Sequence, residues 1–394
     1  MTQASRGPRT AGANAGQNAV GPGGTIVAPA SVLPESPKVL VIETGLVGEL
    51  LVVTPTLRAV KRAYPGASIT VMVSPGSAPI LVGNPAVKRL LPLRKEERTG
   101  MGLFRVASWV RSERFDAILV LHTSFRSAML AALGRGRIRA GLSCEGRGWL
   151  LNRRTPRDRS AYEVDEHLRV AGLLGVTPDG RELDLFLTDE ERAEAERILV
   201  PVTPTGVLPL VGLHPGASRE IRRWPAERFA ELGHRANEAG LARPFYVVGP
   251  RERDLGARVR AWYEQAGHPE PAIIEPASVR MLGALLERAD AVVTNNTGPM
   301  HVAAAVGVPG VFIHGPTPVD RWHPPAPANE AVFGDVSCRP CDSPRCRMDG
   351  LLCMEALTVD TVYDALTRVV ERAMRDRYSE VTQEPEVLKE TRDA

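Results

Sequence analysis

The chain has 394 residues, of which 43% are hydrophobic and 24% are charged, with a formal net charge of +3. This length allows two domains, the composition is that of a globular protein rather than a disordered or membrane-spanning one, and the charge is too small to indicate nucleic-acid binding. Five cysteines are too few for a disulfide scaffold of this length, so the sequence predicts a cytoplasmic protein.

The first half of the chain begins with residues 1–36, which are rich in Gly, Ala, Pro and Ser and contain no long apolar run. This composition indicates a disordered leader rather than a secretory signal. Residues 38–42 then form a short apolar strand, followed by a glycine turn and by helical spacing. Further apolar strands at residues 68–73 and 117–121 continue the alternation of strand and helix, which predicts a parallel, doubly wound α/β sheet.

The same alternation begins again after the proline-rich residues 201–209. Its predicted strands are residues 210–213, 244–248, 291–294 and 308–314. We therefore predict two Rossmann-like domains, an N-terminal one at residues 37–190 and a C-terminal one at residues 208–357. Residues 358–376 have apolar side chains at helical spacing and are expected to form a terminal helix. Residues 377–394 are charged, lack this spacing and are expected to be a frayed or disordered tail.

The glycine turn of the first half contains Gly45 and Gly48 and joins a strand to a helix. Bare backbone and the free N–H groups of a helix start can approach a ligand at such a turn. Glu49 follows directly. Its carboxylate is suited either to take a proton from a hydroxyl group or to interact with the helix dipole, and both interpretations stay open.

Two segments of the second half place polar residues between a strand and a helix. Ser218 and Arg222 precede a helix that is predicted to begin at Pro225, and arginine forks suit a diphosphate, although a solvated loop would also carry arginines. The run from Asn296 through Thr297, Gly298, Pro299 and Met300 to His301 combines an amide, a hydroxyl and bare backbone at a helix start. That geometry favours an anion site.

Two other segments have unusual composition. Eight arginines lie between residues 134 and 159, against two acidic residues, which is typical either of a solvated loop or of an anion-binding surface. Near the C-terminal end, four cysteines lie close together in the sequence. They either bind zinc or form a packed loop of thiols, and we favour the loop because the spacing is not that of a zinc ribbon. These cysteines are Cys338, Cys341, Cys346 and Cys353.

Residues 38–57, 212–229 and 295–322 resemble, in order and spacing, glycosyltransferase family 9, the lipopolysaccharide heptosyltransferase family. The His-x-x-x-Arg turn at His122 and Arg126 and the cysteine cluster resemble it too, so the resemblance covers residues 37–375. It implies a GT-B fold, in which two Rossmann-like domains face each other across a cleft. It also implies an inverting, metal-independent transfer without a cofactor, from a nucleotide sugar, typically ADP-heptose, to a hydroxyl group of the lipopolysaccharide core.

The resemblance further implies roles for individual residues. Glu49 matches the catalytic base, the C-terminal domain holds the donor, and the N-terminal domain holds the acceptor. The implied donor-binding residues are Ser218, Arg222, Gly249, Glu252, Asn296, Thr297, Gly298, Pro299, Met300 and His301. The expected acceptor-side residues are Gly45, Gly48, His122, Arg126, Arg135, Arg137 and Arg139. Family members usually carry Asp at position 49, Lys at 222, Asp at 296 and Arg at 43, so this chain departs from the pattern at four positions.

We therefore expect a glycosyltransferase whose partners are a nucleotide sugar and a lipid-linked or core-oligosaccharide acceptor. The arginine-rich residues 135–159 are expected to contact acceptor phosphates or the anionic inner leaflet of the plasma membrane. The terminal helix is expected to return to the N-terminal domain. Two alternatives stay open: a nucleotide-sugar or glycan-binding protein that has lost catalysis, and a nucleotide-sugar epimerase, for which the sequence identifies no additional acid–base residues.

Overall fold

The computed structural model describes residues 32–202, 208–348 and 350–382 of the chain. Most of the predicted leader, up to residue 31, lies outside the described residues, as do residues 203–207 of the predicted boundary and the predicted tail from residue 383 onward. Two parallel six-stranded sheets form the frame of the molecule.

The first sheet and its helices come from the first half of the chain. Its strands are β1 (Lys38–Ile42), β2 (Ser68–Val73), β3 (Arg89–Pro92), β4 (Ala117–Val120), β5 (Ile138–Ser143) and β6 (Arg153–Pro156). The helices of this half are α1 (Val47–Leu51), α2 (Thr54–Ala63), α3 (Gly100–Glu113), α4 (Phe125–Leu133), α5 (Glu163–Gly172) and α6 (Asp189–Leu199).

The second sheet is built in the same way. Its strands are β7 (Leu210–His214), β8 (Arg243–Val247), β9 (Ile273–Ile274), β10 (Ala291–Asn295), β11 (Gly310–Ile313) and β12 (Glu330–Val332). Its helices are α7 (Ala226–Glu238), α8 (Arg253–Gln265), α9 (Val279–Glu287), α10 (Gly298–Ala305), α11 (Val319–Trp322), α12 (Leu352–Glu355) and α13 (Val359–Thr382).

The strand orders confirm the predicted doubly wound α/β fold. The first sheet runs β3-β2-β1-β4-β5-β6 and the second β12-β11-β10-β7-β8-β9. In each sheet the order reverses beside its first strand, between β1 and β4 and between β7 and β10. Because ligands of open α/β sheets bind beyond the carboxyl ends of the strands at this reversal, each half has one preferred site.

Burial explains why the central strands form where they do. Residues 39–42 of β1 and all of β10 are buried, as expected for parallel strands that are covered by helices on both faces. One apolar cluster continues from the first sheet through Leu185 and Leu187 to Leu285 on α9 of the second half. The two halves are therefore joined by packed side chains as well as by the connecting chain.

The terminal helix α13 differs from the prediction in two ways. Its apolar residues Val362, Leu366 and Val369 pack into the core of the second half, against α7, β10, β11 and β12, and only its last turns, at Ala373 and Arg377, line a cavity shared with the first half. The physical reason is that this face of the second sheet offers the apolar surface that these side chains bury. The helix also extends beyond residue 376, where Arg377 pairs with Asp290 at 2.7 Å.

Candidate active site

The two glycine turns predicted from the sequence open into the same cleft. The helices α1 and α10 begin there and contact each other. A Cβ atom placed on Gly48 would lie 2.7 Å from Cδ2 of His301 and 3.6 Å from Cα of Gly298. Position 48 therefore requires glycine, because any side chain would collide with the opposite turn.

Glu49 lies half-buried on the first turn of α1. Its Oε2 accepts a hydrogen bond from the backbone N–H of Leu46 at 2.7 Å. Beside it, Oε1 of the buried Glu43 accepts from the N–H of Gly45 at 2.8 Å. A Cβ on Gly45 would lie 2.3 Å from Oε2 of Glu49 and 2.8 Å from Oε1 of Glu43, so two carboxyl groups converge on this turn.

Glu43 and Glu163 are two buried carboxyl groups with opposite electrostatics. Burial, with the nearby charge of Glu49, raises the pKa of Glu43 well above its usual value. Burial also acts to raise the pKa of Glu163, but the positive fields of His167, Arg321 and Arg157 outweigh it and lower that pKa. The surroundings therefore favour the protonated form of Glu43 and the ionised form of Glu163.

The donor-side candidates in the second half include polar atoms without partners. Nε of Arg222, Oγ1 of Thr317 and Nδ1 of His301 are all buried, and none has a hydrogen-bond partner in the described chain. Arg222 also has no carboxylate within ion-pair distance among the described residues, although Glu49 and Asp342 lie near enough to act on its charge. Unsatisfied buried groups are rare in native proteins, so this set indicates a ligand site.

Asn296 reaches the cleft but is already engaged. Its Nδ2 lies 2.8 Å from Nδ1 of His314, and both residues are buried. The preceding Asn295, which sequence reasoning missed, organises the site: its Oδ1 accepts from the N–H of Trp224 at 3.0 Å. Its Nδ2 donates to the carbonyl of Pro215 at 2.9 Å and so ties the end of β10 to the loop after β7.

Gly249 and Glu252 lie beside the loop that follows β7. Oε2 of Glu252 accepts from the N–H of Gly249 at 3.0 Å. A Cβ on Gly216 would lie only 2.1 Å from Oε1 of Glu252, so this carboxylate covers the bare backbone of that turn. Ser218 is exposed two residues further on. The predicted nucleoside-contacting residues thus lie at the carboxyl edge of the second sheet.

Of the acceptor-side candidates, His122 and Arg126 lie near the cleft. They line a small cavity of about 40 Å³ at the carboxyl ends of β1 and β4. Nδ1 of His122 lies 3.0 Å from Oγ of Ser124 and 3.2 Å from Oγ of Ser127. The lining combines these polar side chains with apolar ones from Ile42, Leu103 and Leu130.

The arginine-rich segment differs from its sequence interpretation. It contains β5 and β6, and exposed Arg135 and Arg137 precede β5 at the amino edge, away from the cleft. Nε of Arg139 donates to the carbonyl of Leu150 at 3.0 Å. Arg147 is buried and donates from Nε to the carbonyl of Leu142 at 3.2 Å. The structure therefore does not bring Arg135, Arg137 and Arg139 into one acceptor site. Arg135 and Arg137 lie at the amino end of β5, away from the cleft, and the side chain of Arg139 is held by backbone carbonyl groups.

The four clustered cysteines line one cavity of about 240 Å³ with Ile221 and Pro316. All four are free thiols, and burial together with the neighbouring sulfur atoms raises the pKa of Cys353. Within residues 32–202, 208–348 and 350–382, no three His, Cys, Asp or Glu side chains converge as a metal-ligand set. Cys353 is buried, whereas Cys341 and Cys346 are exposed.

Comparison with known proteins places this cleft in a family. A model of glycosyltransferase family 9 (heptosyltransferase) matches residues 103–352. Lipopolysaccharide heptosyltransferase 2 of Salmonella typhimurium is 29% identical over 308 residues, which cover 73% of this chain and 85% of that protein.

Two solved structures share the fold. The glycosyl transferase family 9 protein of Veillonella parvula has a TM-score of 0.74 at 23% identity, with 86% of this chain and 98% of that chain covered. The E. coli ADP-heptose lipopolysaccharide heptosyltransferase II has a TM-score of 0.68 at 23% identity, with 85% and 99% covered. Since the family model matches more than half of the chain, this protein belongs to glycosyltransferase family 9, the heptosyltransferase family.

Proposed function

We propose that the protein transfers heptose from ADP-heptose to a hydroxyl group of a lipopolysaccharide core or a related lipid-linked glycan. Family membership favours a transferase over the epimerase alternative. The Salmonella relative is a lipopolysaccharide heptosyltransferase, and ADP-heptose is the donor named for the E. coli structure. Both names support the choice of donor and acceptor for this chain.

The observation that carries the proposal is the largely buried guanidinium of Arg222, which has no ion-pair partner among the described residues. Nε of Arg222 is buried without a partner in the described chain, and Glu49 acts on its charge from the opposite half. A diphosphate between Arg222 and the N–H groups at Thr297 and Gly298 would satisfy both. Arginine then supplies the positive charge that stabilises the leaving ADP, so the reaction proceeds without a divalent cation.

Glu49 supplies the base on the acceptor side. Its carboxylate takes the proton of the acceptor hydroxyl, whose oxygen forms a bond to the anomeric carbon of the sugar. The bond from that carbon to the diphosphate oxygen breaks, and ADP leaves with the bonding electron pair. Because attack and departure occur on opposite faces of the carbon, a single displacement inverts its configuration.

The lipid-linked acceptor approaches, in this proposal, over an exposed apolar surface of the first half. This apolar patch comprises Met101 (76% exposed), Phe104 (58%), Phe125 (42%) and Trp149 (71%). Rings of Phe125 and Trp149 lie 6.4 Å apart, and α3 and α4 both border the cavity at His122. Exposed aromatic side chains suit the interface of a bilayer, so we propose peripheral contact at the inner leaflet.

No helix among the described residues is long and apolar enough to cross a bilayer.

The test is a transfer assay on the purified protein. ADP-heptose and UDP-sugars are supplied in turn, with and without a lipid core that lacks its heptose. We expect acceptor-dependent release of ADP, a glycosylated product by mass spectrometry, and unchanged activity in the presence of a chelator. Release of neither nucleotide under any condition would contradict the transferase proposal.

A further inference from the structure

Glu43 is a buried acid at the floor of the cleft whose own charge has no counterion. Only 3% of its surface is exposed, and its hydrogen bond comes from the N–H of Gly45 at 2.8 Å. The charged groups that act on it are Glu49 on α1, Glu163 on α5 and Arg147 after β5. None of the described basic side chains lies within ion-pair distance of it, and two of the three nearby charges are negative.

Glu163 provides a comparison in the same neighbourhood. It is equally buried, but Arg157 lies 3.1 Å from its Oε1 and Arg321 lies 3.0 Å from its Oε2. Nε2 of His167 is 4.0 Å away. Of these two buried carboxyl groups, Glu163 therefore has three basic side chains at close range and Glu43 has none among the described residues. A buried carboxyl group without a counterion retains its proton.

We propose that Glu43 and Glu49 form a one-proton carboxyl pair, in which Glu43 keeps the proton and positions Glu49 as the ionised base. The pair converges on Gly45, since a Cβ there would lie 2.3 Å from Oε2 of Glu49 and 2.8 Å from Oε1 of Glu43. Because both oxygens lie beside the same backbone position, the two carboxyl groups are close neighbours, and neighbouring like charges disfavour ionisation of both groups. In this proposal the charge lies on the group that has contact with solvent and with a backbone N–H. That group is Glu49, which is half-exposed and accepts from the N–H of Leu46.

The neutral state of Glu43 has a consequence for the reaction. With one negative charge beside α1, Glu49 can act as a base while the donor diphosphate binds near Arg222 on the other side of the cleft. Ionisation of Glu43 would place a second negative charge beside the same turn and would disfavour the anionic donor. Because burial and the charge of Glu49 raise the pKa of Glu43, this second charge forms only at a higher pH than it would on an ordinary glutamate. This inference rests on the proposed function of Glu49.

Glu43→Gln is the sharpest test, because glutamine copies the protonated form and cannot ionise. We measure kcat and KM from neutral to alkaline pH for the wild type and the variant. Wild-type kcat/KM should fall with rising pH, by about tenfold per unit once the proton is lost. Glu43→Gln should lower kcat moderately at neutral pH and should remove this alkaline decline. Parallel profiles for the two proteins would overturn the proposal.

A second measurement does not depend on transfer activity. The free energy of unfolding in urea is followed against pH for the wild type, Glu43→Gln and the control Glu163→Gln. When the pKa of a group is higher in the folded than in the unfolded protein, the group stabilises the fold at low pH, and this stability is lost as pH rises through the folded-state pKa. The wild type should therefore lose more free energy of unfolding with rising pH than Glu43→Gln. Glu163→Gln should destabilise at neutral pH, because three basic groups then lose their charge partner.

The two readouts separate two kinds of failure. If the wild type transfers no sugar but the unfolding curves differ as described, the proposed function fails while the protonation of Glu43 stands. If Glu43→Gln and the wild type lose stability in parallel as pH rises, Glu43 is already ionised at neutral pH and the one-proton pair is overturned. An infrared absorption of a protonated carboxyl group at neutral pH, absent from Glu43→Gln, would support the pair directly.

Discussion

Nε of Arg321, on α11 of the second half, donates to Oε2 of Glu163 on α5 of the first half at 3.0 Å. Both side chains are largely buried, and Nη1 of Arg321 also lies 3.1 Å from Oδ2 of Asp342. The bond joins the two halves directly beside the cleft. Because the donor and the acceptor belong to different domains, this hydrogen bond stabilises the relative position of the two domains at the cleft.

Arg321→Ala should destabilise the protein. Removing one partner leaves the carboxylate of Glu163 buried with only Arg157 and His167 beside it, and hydrogen bonds to charged groups contribute about 1.5–3 kcal/mol. Urea unfolding should show a loss of that size. The control is Arg253→Ala, which removes an exposed pair with Glu275 and should leave the unfolding midpoint nearly unchanged. Equal losses for the two variants would mean that the interdomain bond contributes no more than a surface pair.

Acid should destabilise the fold through its buried histidines. Burial lowers the pKa of His301 and of His323 to about 4, and it also lowers that of His314. Because these pKa values are lower in the folded than in the unfolded protein, the unfolded chain binds more protons as the solution becomes acidic. The stability that is present above the unfolded-state pKa, near 6.5, is therefore lost as pH falls towards 4. His301→Gln should lose less stability over this range than the wild type, by roughly 1–3 kcal/mol.

Unfolding curves at several pH values between 7 and 4 check this prediction. An equal acid response of the wild type and His301→Gln would show that folding does not lower the pKa of His301.

Much of the fold could be predicted because its signals are local. Short apolar strands that end in glycine turns indicated both parallel sheets, and Gly48 and Gly298 do lie in one cleft. The strands β5 and β6 were missed because their arginines indicated a surface. In the structure the guanidinium of Arg147 instead donates to buried carbonyl groups such as that of Leu142. Charge alone does not reveal such a partner, since the partner is set by tertiary packing.

The candidate site was harder to predict at the level of single atoms. The sequence indicated Asn296, but the neighbouring Asn295 ties the end of β10 to the loop after β7. Which of two adjacent amides faces which loop depends on the direction of the last residues of β10. Glu43 was noticed only as a departure from the family pattern. Its significance comes from its burial beside Glu49, and burial is set by tertiary packing that local patterns do not reveal.

Arg222→Ala should weaken donor binding without unfolding the protein. Nε of Arg222 has no hydrogen-bond partner in the described chain, so its removal breaks no internal bond of that atom. Calorimetry with ADP should show a loss of about 1.5–3 kcal/mol in binding free energy, the range for hydrogen bonds to charged groups. Arg222→Lys restores the family's usual residue and should recover part of this loss. Unchanged affinity in Arg222→Ala would move the diphosphate site elsewhere.

Membrane contact should depend on the apolar patch rather than on the arginine-rich segment. The double variant Phe104→Ser and Trp149→Ser removes two exposed apolar side chains, and flotation with vesicles that contain anionic lipid should show reduced binding. Phe333→Ser is the matched control, since Phe333 is an exposed aromatic residue of the second half. If Arg135 and Arg137 variants lose vesicle binding while the double variant retains it, the patch does not face the bilayer.

Glu49→Gln tests the proposed base. Glutamine keeps the length of the side chain and an oxygen that can accept from the N–H of Leu46, so α1 should begin as before. Donor binding, measured by calorimetry with ADP, should change little because Glu49 is assigned to the acceptor hydroxyl. Turnover should fall by about two to four powers of ten, the usual contribution of a general base.

Glu49→Asp separates two explanations of the residue at this position. Aspartate is the residue that family members usually carry, but its carboxylate would lie about one methylene further from the acceptor, and misplacement by about 1 Å can cost on the order of a hundredfold in rate. Lower activity would mean that the cleft is built around the longer side chain and around its pair with Glu43. Higher activity would mean that glutamate is a weakened base. Equal turnover of the wild type and Glu49→Gln would mean that Glu49 is only a helix-capping carboxylate. Binding of ADP-heptose without turnover, in the wild type and in every variant, would favour a binding protein over an enzyme.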